Sequence, residues 1–103
     1  MRSIFIKRGE PLILDVTFTD SEGIEMDLDL TDIKSEVRDC YGNLLGIFEI
    51  NRLEETKYRL KLKDTLNYPL GQSYLDIRVT CDEGYVYSET ITLNMLENIT
   101  RGN

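Results

Sequence analysis

The chain has 103 residues, and its 12 basic against 19 acidic side chains give a formal net charge of -7. With 41% hydrophobic residues, this length supplies one small domain, residues 1–103, and no second core. The acidic balance argues against a nucleic-acid partner, since phosphates require a basic surface. Histidine, the commonest general base and metal ligand, is absent, so we expect no enzyme and no cofactor.

The N-terminal stretch shows no signal for export. Lys7, Arg8 and Glu10 interrupt it, and no apolar run in the chain approaches the roughly 18 residues of a membrane span. We therefore expect synthesis in the cytoplasm and no membrane partner. Cys40 and Cys81 lack the C-x-x-C spacing of zinc and redox sites, so two free thiols are predicted.

Apolar residues alternate with polar ones along most of the chain, which is the period of β-strands. In residues 12–19, for example, Leu12, Leu14 and Val16 form one apolar face. The alternation predicts strands at residues 3–7, 12–19, 33–38, 44–50, 57–63, 73–80 and 85–96. Glycine-ended turns at residues 20–23, 39–42 and 81–84 predict three hairpins, and residues 64–68 are predicted to form a single helical turn.

The last predicted strand contains a conflict of phase. Strict alternation that keeps Ile91 and Leu93 inside the protein also places Tyr85, Tyr87 and Glu89 inside. An unpaired buried carboxylate is costly. A bulge at residues 88–90 removes the conflict by reversing the phase, and it turns both tyrosines outward.

About seven short strands with a crossover in the middle predict an all-β fold, an immunoglobulin-like antiparallel β-sandwich without an inter-sheet disulfide. In this topology the turns that carry Cys40 and Cys81 lie at opposite ends of the sandwich. A disulfide requires Cα atoms within about 7 Å, so the two sulfurs cannot bond.

The segment from Glu10 to Asp32 contains eight acidic residues and no Lys or Arg. Carboxylates clustered on a loop are the ligands that Ca²⁺ prefers, but the spacing does not match an EF-hand loop. A solvated, negatively charged hairpin end explains the same residues. The sequence leaves both interpretations open.

Four basic side chains project from one face of the predicted strand 57–63: Lys57, Arg59, Lys61 and Lys63. In an immunoglobulin-like sandwich this strand lies beside residues 12–19, so Asp15 is expected to face this cationic row across the sheet. The row either compensates charge within the chain and guards the sheet against unwanted pairing, or it meets the acidic end of another copy and gives a homo-oligomer.

Four tyrosines fall in predicted turns or on predicted outer faces: Tyr41, Tyr74, Tyr85 and Tyr87. Exposed tyrosine is typical of binding surfaces, although tyrosine also simply covers sheet faces. These tyrosines and the cationic row form the candidate interaction surface. No catalytic, cofactor-binding or metal-ligating residue is assigned, because the sequence offers no nucleophile with a His partner and no glycine-rich phosphate loop.

Runs of residues spread over nearly the whole chain have a common likeness: Phe5-Ile6-Lys7-Arg8-Gly9-Glu10, Leu14-Asp15-Val16-Thr17-Phe18-Thr19-Asp20 with Gly23, Leu30-Thr31-Asp32, Val37-Arg38-Asp39 with Gly42, Pro69-Leu70-Gly71, Tyr74-Leu75-Asp76-Ile77 and Glu97-Asn98-Ile99-Thr100-Arg101. They resemble the small immunoglobulin-like structural proteins of bacteriophage virions and tails, including baseplate-type proteins. After Leu30-Thr31 such proteins often carry a glycine, where this chain has Asp32.

The resemblance implies a non-enzymatic bacteriophage or prophage protein that binds other phage structural proteins in the tail, baseplate or head. Its expected location is the virion, after assembly in the host cytoplasm. The alternative is a free-standing recognition module for a host-surface carbohydrate or protein, which would use Tyr85, Tyr87 and the turn at Tyr41.

Overall fold

The computed structural model describes residues 2–99. Met1 and residues 100–103 lie outside the described part, and with them the last two positions of the resembling run that ends at Arg101. Within residues 2–99 the chain forms nine strands and one short 3₁₀ helix: β1 (Arg2–Lys7), β2 (Leu12–Thr17), the 3₁₀ helix (Leu30–Asp32), β3 (Ile33–Arg38), β4 (Leu44–Ile47), β5 (Glu49–Glu54), β6 (Lys57–Leu62), β7 (Gly71–Cys81), β8 (Gly84–Tyr87) and β9 (Ile91–Leu96). No helix in this range has the length and hydrophobicity to cross a membrane.

The strands form two sheets packed face to face. The larger sheet has the order β1, β9, β7, β3, β4, and β8 pairs with β7 beyond the start of β9. The smaller sheet has the order β2, β6, β5. The predicted all-β sandwich is confirmed, and its strand pairs are antiparallel as predicted with one exception. β1 runs parallel to β9 at the edge of the larger sheet, from Arg2 opposite Ile91 to Lys7 opposite Leu96.

The single strand predicted at residues 44–50 is in fact divided between the two sheets. β4 belongs to the larger sheet and β5 to the smaller one, with Phe48 at the crossing. Phe48 is buried, and its N–H donates to the Ser35 carbonyl at 2.9 Å. Residues 44–50 are apolar apart from Gly46 and Glu49, so the sequence pattern alone does not reveal that the chain changes sheet.

Two of the three predicted hairpins are confirmed. The turn at residues 39–42 joins β3 to β4, and the turn at residues 81–84 joins β7 to β8. The turn at residues 20–23 forms, but it is followed by one isolated bridge, between Thr19 and Glu25, and not by a second strand. Residues 64–68 contain a turn closed by the Tyr68 N–H and the Thr65 carbonyl at 3.1 Å. The 3₁₀ helix was not predicted, and the Asp29 carboxylate caps it by accepting from the Thr31 N–H.

A single hydrophobic core lies between the sheets. Most of it comes from every second residue along the strands, whose side chains face inward, so the period-two pattern of the sequence becomes buried apolar surface. Its buried members are Leu12, Ile33, Val37, Phe48, Tyr58, Leu60, Leu62, Tyr68, Leu75, Ile77, Ile91, Leu93 and Met95.

The Tyr58 hydroxyl holds the end of the acidic segment, near Leu28, to the sandwich. The Tyr58 ring is fully buried, and the hydroxyl oxygen accepts a hydrogen bond from the Leu28 N–H at 2.5 Å. The Arg52 guanidinium lies 5.1 Å from the ring centre and donates to the Asp27 carboxylate at 2.7 Å. The chain after the turn at residues 20–23 is thus fixed by side chains from β5 and β6, which explains why it needs no strand partner.

Gly46 on β4 lies directly against the Tyr68 ring. A Cβ at this position would overlap with the Tyr68 hydroxyl oxygen and would come within 3.0 Å of the Leu62 side chain. The backbone at Gly46 does not have a positive φ, so the requirement for glycine is steric. Burial raises the pKa of the Tyr68 hydroxyl above its ordinary value.

The two cysteines lie in the turns that sequence analysis placed at opposite ends of the sandwich. Cys40 is in the β3–β4 turn, and Cys81 ends β7. Because β3 and β7 are antiparallel, with Arg38 opposite Tyr74, these turns point in opposite directions. Both thiols are free and exposed, as predicted.

Replacing Tyr58 by Phe is expected to lower the free energy of unfolding by about 1–3 kcal/mol, because the Leu28 N–H loses its partner in a water-poor site. Tyr74→Phe is the matched control. The Tyr74 hydroxyl donates to Gln72 at an exposed position, so its loss should change stability by less than about 0.5 kcal/mol. Urea unfolding of both variants measures the difference, and equal stabilities would contradict this role for Tyr58.

The Gly46→Ala variant is expected to lose about 1–3 kcal/mol of stability by overpacking. Adding Tyr68→Phe removes the oxygen that the new methyl group meets, so the double variant should be more stable than the sum of the two single changes predicts. Urea unfolding of the four proteins in the cycle tests this. Strict additivity would show that the Tyr68 hydroxyl is not what excludes a side chain at position 46.

Titration of the native protein with a thiol reagent, without reductant or denaturant, should count two reactive thiols, since both sulfurs are exposed. The same count is expected in denaturant. A count of zero in denaturant would mean that the cysteines are bonded, which this topology does not allow.

Candidate functional site

The site is built on β7, the longest strand. β3 pairs with one side of it, and on the other side β9 pairs with its first half and β8 with its second. Leu75 and Arg78 are three positions apart on β7, whereas their partners Ile91 and Tyr87 are four apart. One extra residue therefore lies between β8 and β9, and the predicted bulge at residues 88–90 is confirmed.

Ser88 holds the bulge in place. Its N–H donates to the Ile77 carbonyl at 2.8 Å, and its hydroxyl oxygen accepts from the Ile77 N–H at 2.9 Å. The side-chain oxygen thus replaces the main-chain acceptor that an unbroken ladder would supply. Beyond the bulge the phase is reversed, so Glu89 is exposed and Ile91 is buried.

Tyr85, Tyr87 and Arg78 form a compact group on the outer face of the larger sheet, here called the tyrosine–arginine patch. The two rings are 59% and 57% exposed, with centres 6.5 Å apart and planes at 67°. Arg78 lies opposite Tyr87 on β7, and its Cζ is 4.4 Å from the centre of the Tyr85 ring. An edge-on ring pair and a cation over a ring each stabilise this arrangement by about 0.5–1.5 kcal/mol.

Arg78 is not neutralised by an acid within residues 2–99. In that range no oxygen accepts a hydrogen bond from its Nε, although the atom is buried. Its cross-strand neighbour on β3 is Lys34. Glu36, the next acid on β3, is engaged by Lys34 at 3.5 Å and by Arg38 at 3.0 Å. The Arg38 hydrogen bond holds the pKa of Glu36 below its ordinary value. The patch therefore presents two aromatic rings around a cation whose charge is not compensated by an ion pair.

The other two predicted tyrosines lie at the opposite end of the sheet. Tyr41 is 87% exposed in the β3–β4 turn, and Tyr74 lies opposite Arg38 near the start of β7. The structure thus separates the four tyrosines into two pairs instead of bringing them together. A shallow groove on the outer face lies beside Tyr74, and it is lined by Glu36, Arg38, Tyr74, Leu75, Asp76 and Thr90.

The cationic row lies on the outer face of the smaller sheet, as predicted. Arg59 is opposite Asp15, and its Nε and Nη2 donate to the two carboxylate oxygens at 2.8 and 3.1 Å. These hydrogen bonds hold the pKa of Asp15 below its ordinary value and raise that of Arg59. Two further cations have acidic partners on β5: Lys63 with Glu49 at 3.3 Å, and Lys57 with Glu54 at 3.6 Å.

Lys61 is the member of the row without an ion pair in the described part of the chain. Three of the four cations are thus compensated inside the protein, which supports the first of the two interpretations offered for this row. These ion pairs leave less uncompensated positive charge for contact with a second subunit than the sequence suggests.

Most of the acids between Glu10 and Asp32 have separate partners within the fold. Asp20 accepts from the Glu22 and Ile24 N–H groups of its own turn, and Asp27 pairs with Arg52. Among residues 2–99 no group of three or more Cys, Asp or Glu side chains has the arrangement of a metal site.

Comparison with family models and with curated proteins finds no match. Among solved structures, the chain is similar to CopC from Methylosinus trichosporium OB3b, with a TM-score of 0.57 and 16% identity over 97% of this chain and 91% of that one. It is also similar to the titin M3 domain, with a TM-score of 0.52 and 14% identity over 92% of this chain and 88% of that one. The predicted immunoglobulin-like sandwich is confirmed, and at these identities the likeness concerns the fold alone.

Sequence analysis did not single out Arg78 as part of the candidate surface. A signal for it was available: alternation puts Arg78 on the outer face of its predicted strand, and the turn at residues 81–84 sets the following strand beside it. Its contact with the Tyr85 ring follows once the bulge fixes which way the tyrosines point.

Proposed function

We propose that this chain is a non-enzymatic binding module that docks onto other structural proteins of a bacteriophage particle, in the tail, baseplate or head, through the tyrosine–arginine patch. It is made and assembled in the host cytoplasm and resides in the virion. The virion assignment is supported by the resemblance described for the sequence, and the choice of surface is supported by the geometry of the patch.

The observation that carries the proposal is the exposure of two tyrosines already held in a fixed arrangement, with Tyr87 edge-on to Tyr85 and Arg78 over the Tyr85 ring. Tyrosine and arginine dominate the energetics of protein interfaces, because each offers a large contact area with a polar end. Rings that are ordered before binding lose little conformational freedom on docking. A partner that supplies a carboxylate would satisfy the donors of Arg78.

The second candidate, recognition of a host-surface carbohydrate or protein, would have to use the same patch without Tyr41. Tyr41 lies at the other end of the sheet, so one small ligand cannot contact all three tyrosines. The charged and aromatic character of the patch fits a protein surface better than a neutral sugar.

Purified phage particles produced from the host that carries this gene should contain the chain in fixed stoichiometry when analysed by mass spectrometry. Replacing Tyr85 and Tyr87 together by Ala is expected to reduce incorporation about tenfold or more, as loss of central aromatic anchors does in other interfaces. The double variant Lys57→Gln/Lys63→Gln, on the opposite face, is the control and should be incorporated normally. Absence of the wild-type chain from particles contradicts the virion role, and normal incorporation of the tyrosine variant contradicts the choice of surface.

A further inference from the structure

β8 is an edge strand with an open side. Among residues 2–99 it pairs with β7 only, and β1 begins opposite Ile91, after the end of β8. The Ser88 N–H points to β7, and Gly84 pairs with Cys81 across the two-residue turn. Because main-chain groups alternate in an antiparallel ladder, Val86 also points to β7. The N–H and C=O groups of Tyr85 and Tyr87 therefore face the open side.

Most other edge strands of the two sheets carry charged side chains, a device that discourages pairing with another chain: Arg2 and Lys7 on β1, Asp15 on β2, and Glu49 and Glu54 on β5. β4 has no charge, but its pairing with β3 is bulged and the Tyr68 ring lies against Gly46. The pairing of β8 with β7 is regular from Gly84 to Tyr87, and the bulge comes only after the strand. Its residues Gly84–Tyr87 are uncharged and exposed, with Val86 at 59%.

Charge at the two ends of β8 indicates what can pair with it. Asp82 and Glu83 precede the strand and Glu89 follows it, and all three are exposed. Glu83 lies in the turn before β8 and Glu89 in the bulge after it. A second copy pairing with β8 through its own Tyr85 and Tyr87 would bring Glu83 of each copy close to Glu89 of the other. Like charges across a strand pair are destabilising, and the chain's net charge of -7 adds to the repulsion. The open edge thus disfavours self-pairing and favours a basic partner.

We propose that the open side of β8 accepts an extended segment of another protein as an added antiparallel strand, and that this segment has apolar residues at its centre flanked by Lys or Arg. The basic residues, six positions apart, lie near Glu83 and Glu89, beyond the two ends of β8. Main-chain hydrogen bonds to Tyr85 and Tyr87 supply the affinity, and the flanking charges supply the register. This inference rests on the proposed function, since it specifies how the same patch engages its partner.

The probe is a blocked seven-residue synthetic peptide with Lys at both ends and alternating Thr and Val between them. Titration into the ¹⁵N-labelled protein, followed by amide NMR, should shift the Tyr85 and Tyr87 amides and slow their hydrogen exchange. The same peptide with Glu at both ends is expected to bind about tenfold more weakly or less. No shift with the Lys peptide at millimolar concentration, or equal binding of both peptides, overturns the proposal.

Two substitutions at one position separate main-chain pairing from ring contacts. Tyr87→Ala removes the ring and keeps the outward N–H, whereas Tyr87→Pro removes both. Proline is tolerated at edge positions whose N–H faces solvent, so both variants should fold. We expect the proline variant to bind the peptide about three- to tenfold more weakly than the alanine variant. Equal binding by the two variants overturns strand addition.

If the Tyr87→Pro variant does not fold, as shown by the absence of a cooperative unfolding transition, the comparison of Tyr85→Pro with Tyr85→Ala repeats the test at the second outward position. Val86→Pro is the directional control, because its N–H points to β7 and its loss should destabilise the domain itself.

The two proposals fail separately. Absence of the chain from particles leaves the peptide results standing, and equal losses in the Ala and Pro variants leave docking through the rings standing.

Discussion

The structure depends on one constraint: every strand must turn its apolar side toward a core that only two sheets enclose. Most of the chain meets this requirement by simple alternation, as β6 does with Tyr58, Leu60 and Leu62 inward. Residues 84–96 cannot meet the requirement by simple alternation, since alternation that buries Ile91 would also bury Glu89. Desolvating a carboxylate costs more free energy than interrupting one step of the hydrogen-bond ladder, so the strand contains a bulge. The side chains of its first half therefore face the opposite way from those that strict alternation would give. The exposed tyrosines of β8 are a consequence of that choice.

β8 lies at the edge of its sheet because β1 begins opposite Ile91, beyond the end of β8. β9 pairs with both β7 and β1, whereas among residues 2–99 β8 pairs with β7 alone. The bulge sets the direction of the two tyrosines, and the position of β1 leaves the outer side of β8 without a strand partner in that range. Together these two features place an exposed aromatic pair next to an open strand edge.

Charge is distributed in a way that the net value of -7 hides. Three cations of the cationic row form ion pairs with Asp15, Glu49 and Glu54 across the smaller sheet, so most of the positive charge on that face is cancelled. Arg78 on the larger sheet has a ring where an acid would ordinarily lie. A cation stacked on an aromatic ring keeps donors available for a ligand, which is why the interaction surface is assigned to the larger sheet although the smaller one carries more basic residues.

Much of the fold is determined by the sequence itself. Period-two alternation and glycine-ended turns identify the all-β class, most of the strand positions, two hairpins, the free thiols and the place of Asp15 opposite the cationic row, because these follow from local geometry and from the burial of one face. The phase conflict at Glu89 even predicts the bulge. Tertiary structure alone decided three other features: the change of sheet at Phe48, the parallel placement of β1 beside β9, and the union of Arg78 with Tyr85 and Tyr87 while Tyr41 and Tyr74 lie far away. Each depends on which strands become neighbours, and that is set by packing between segments distant in sequence, which no local pattern records.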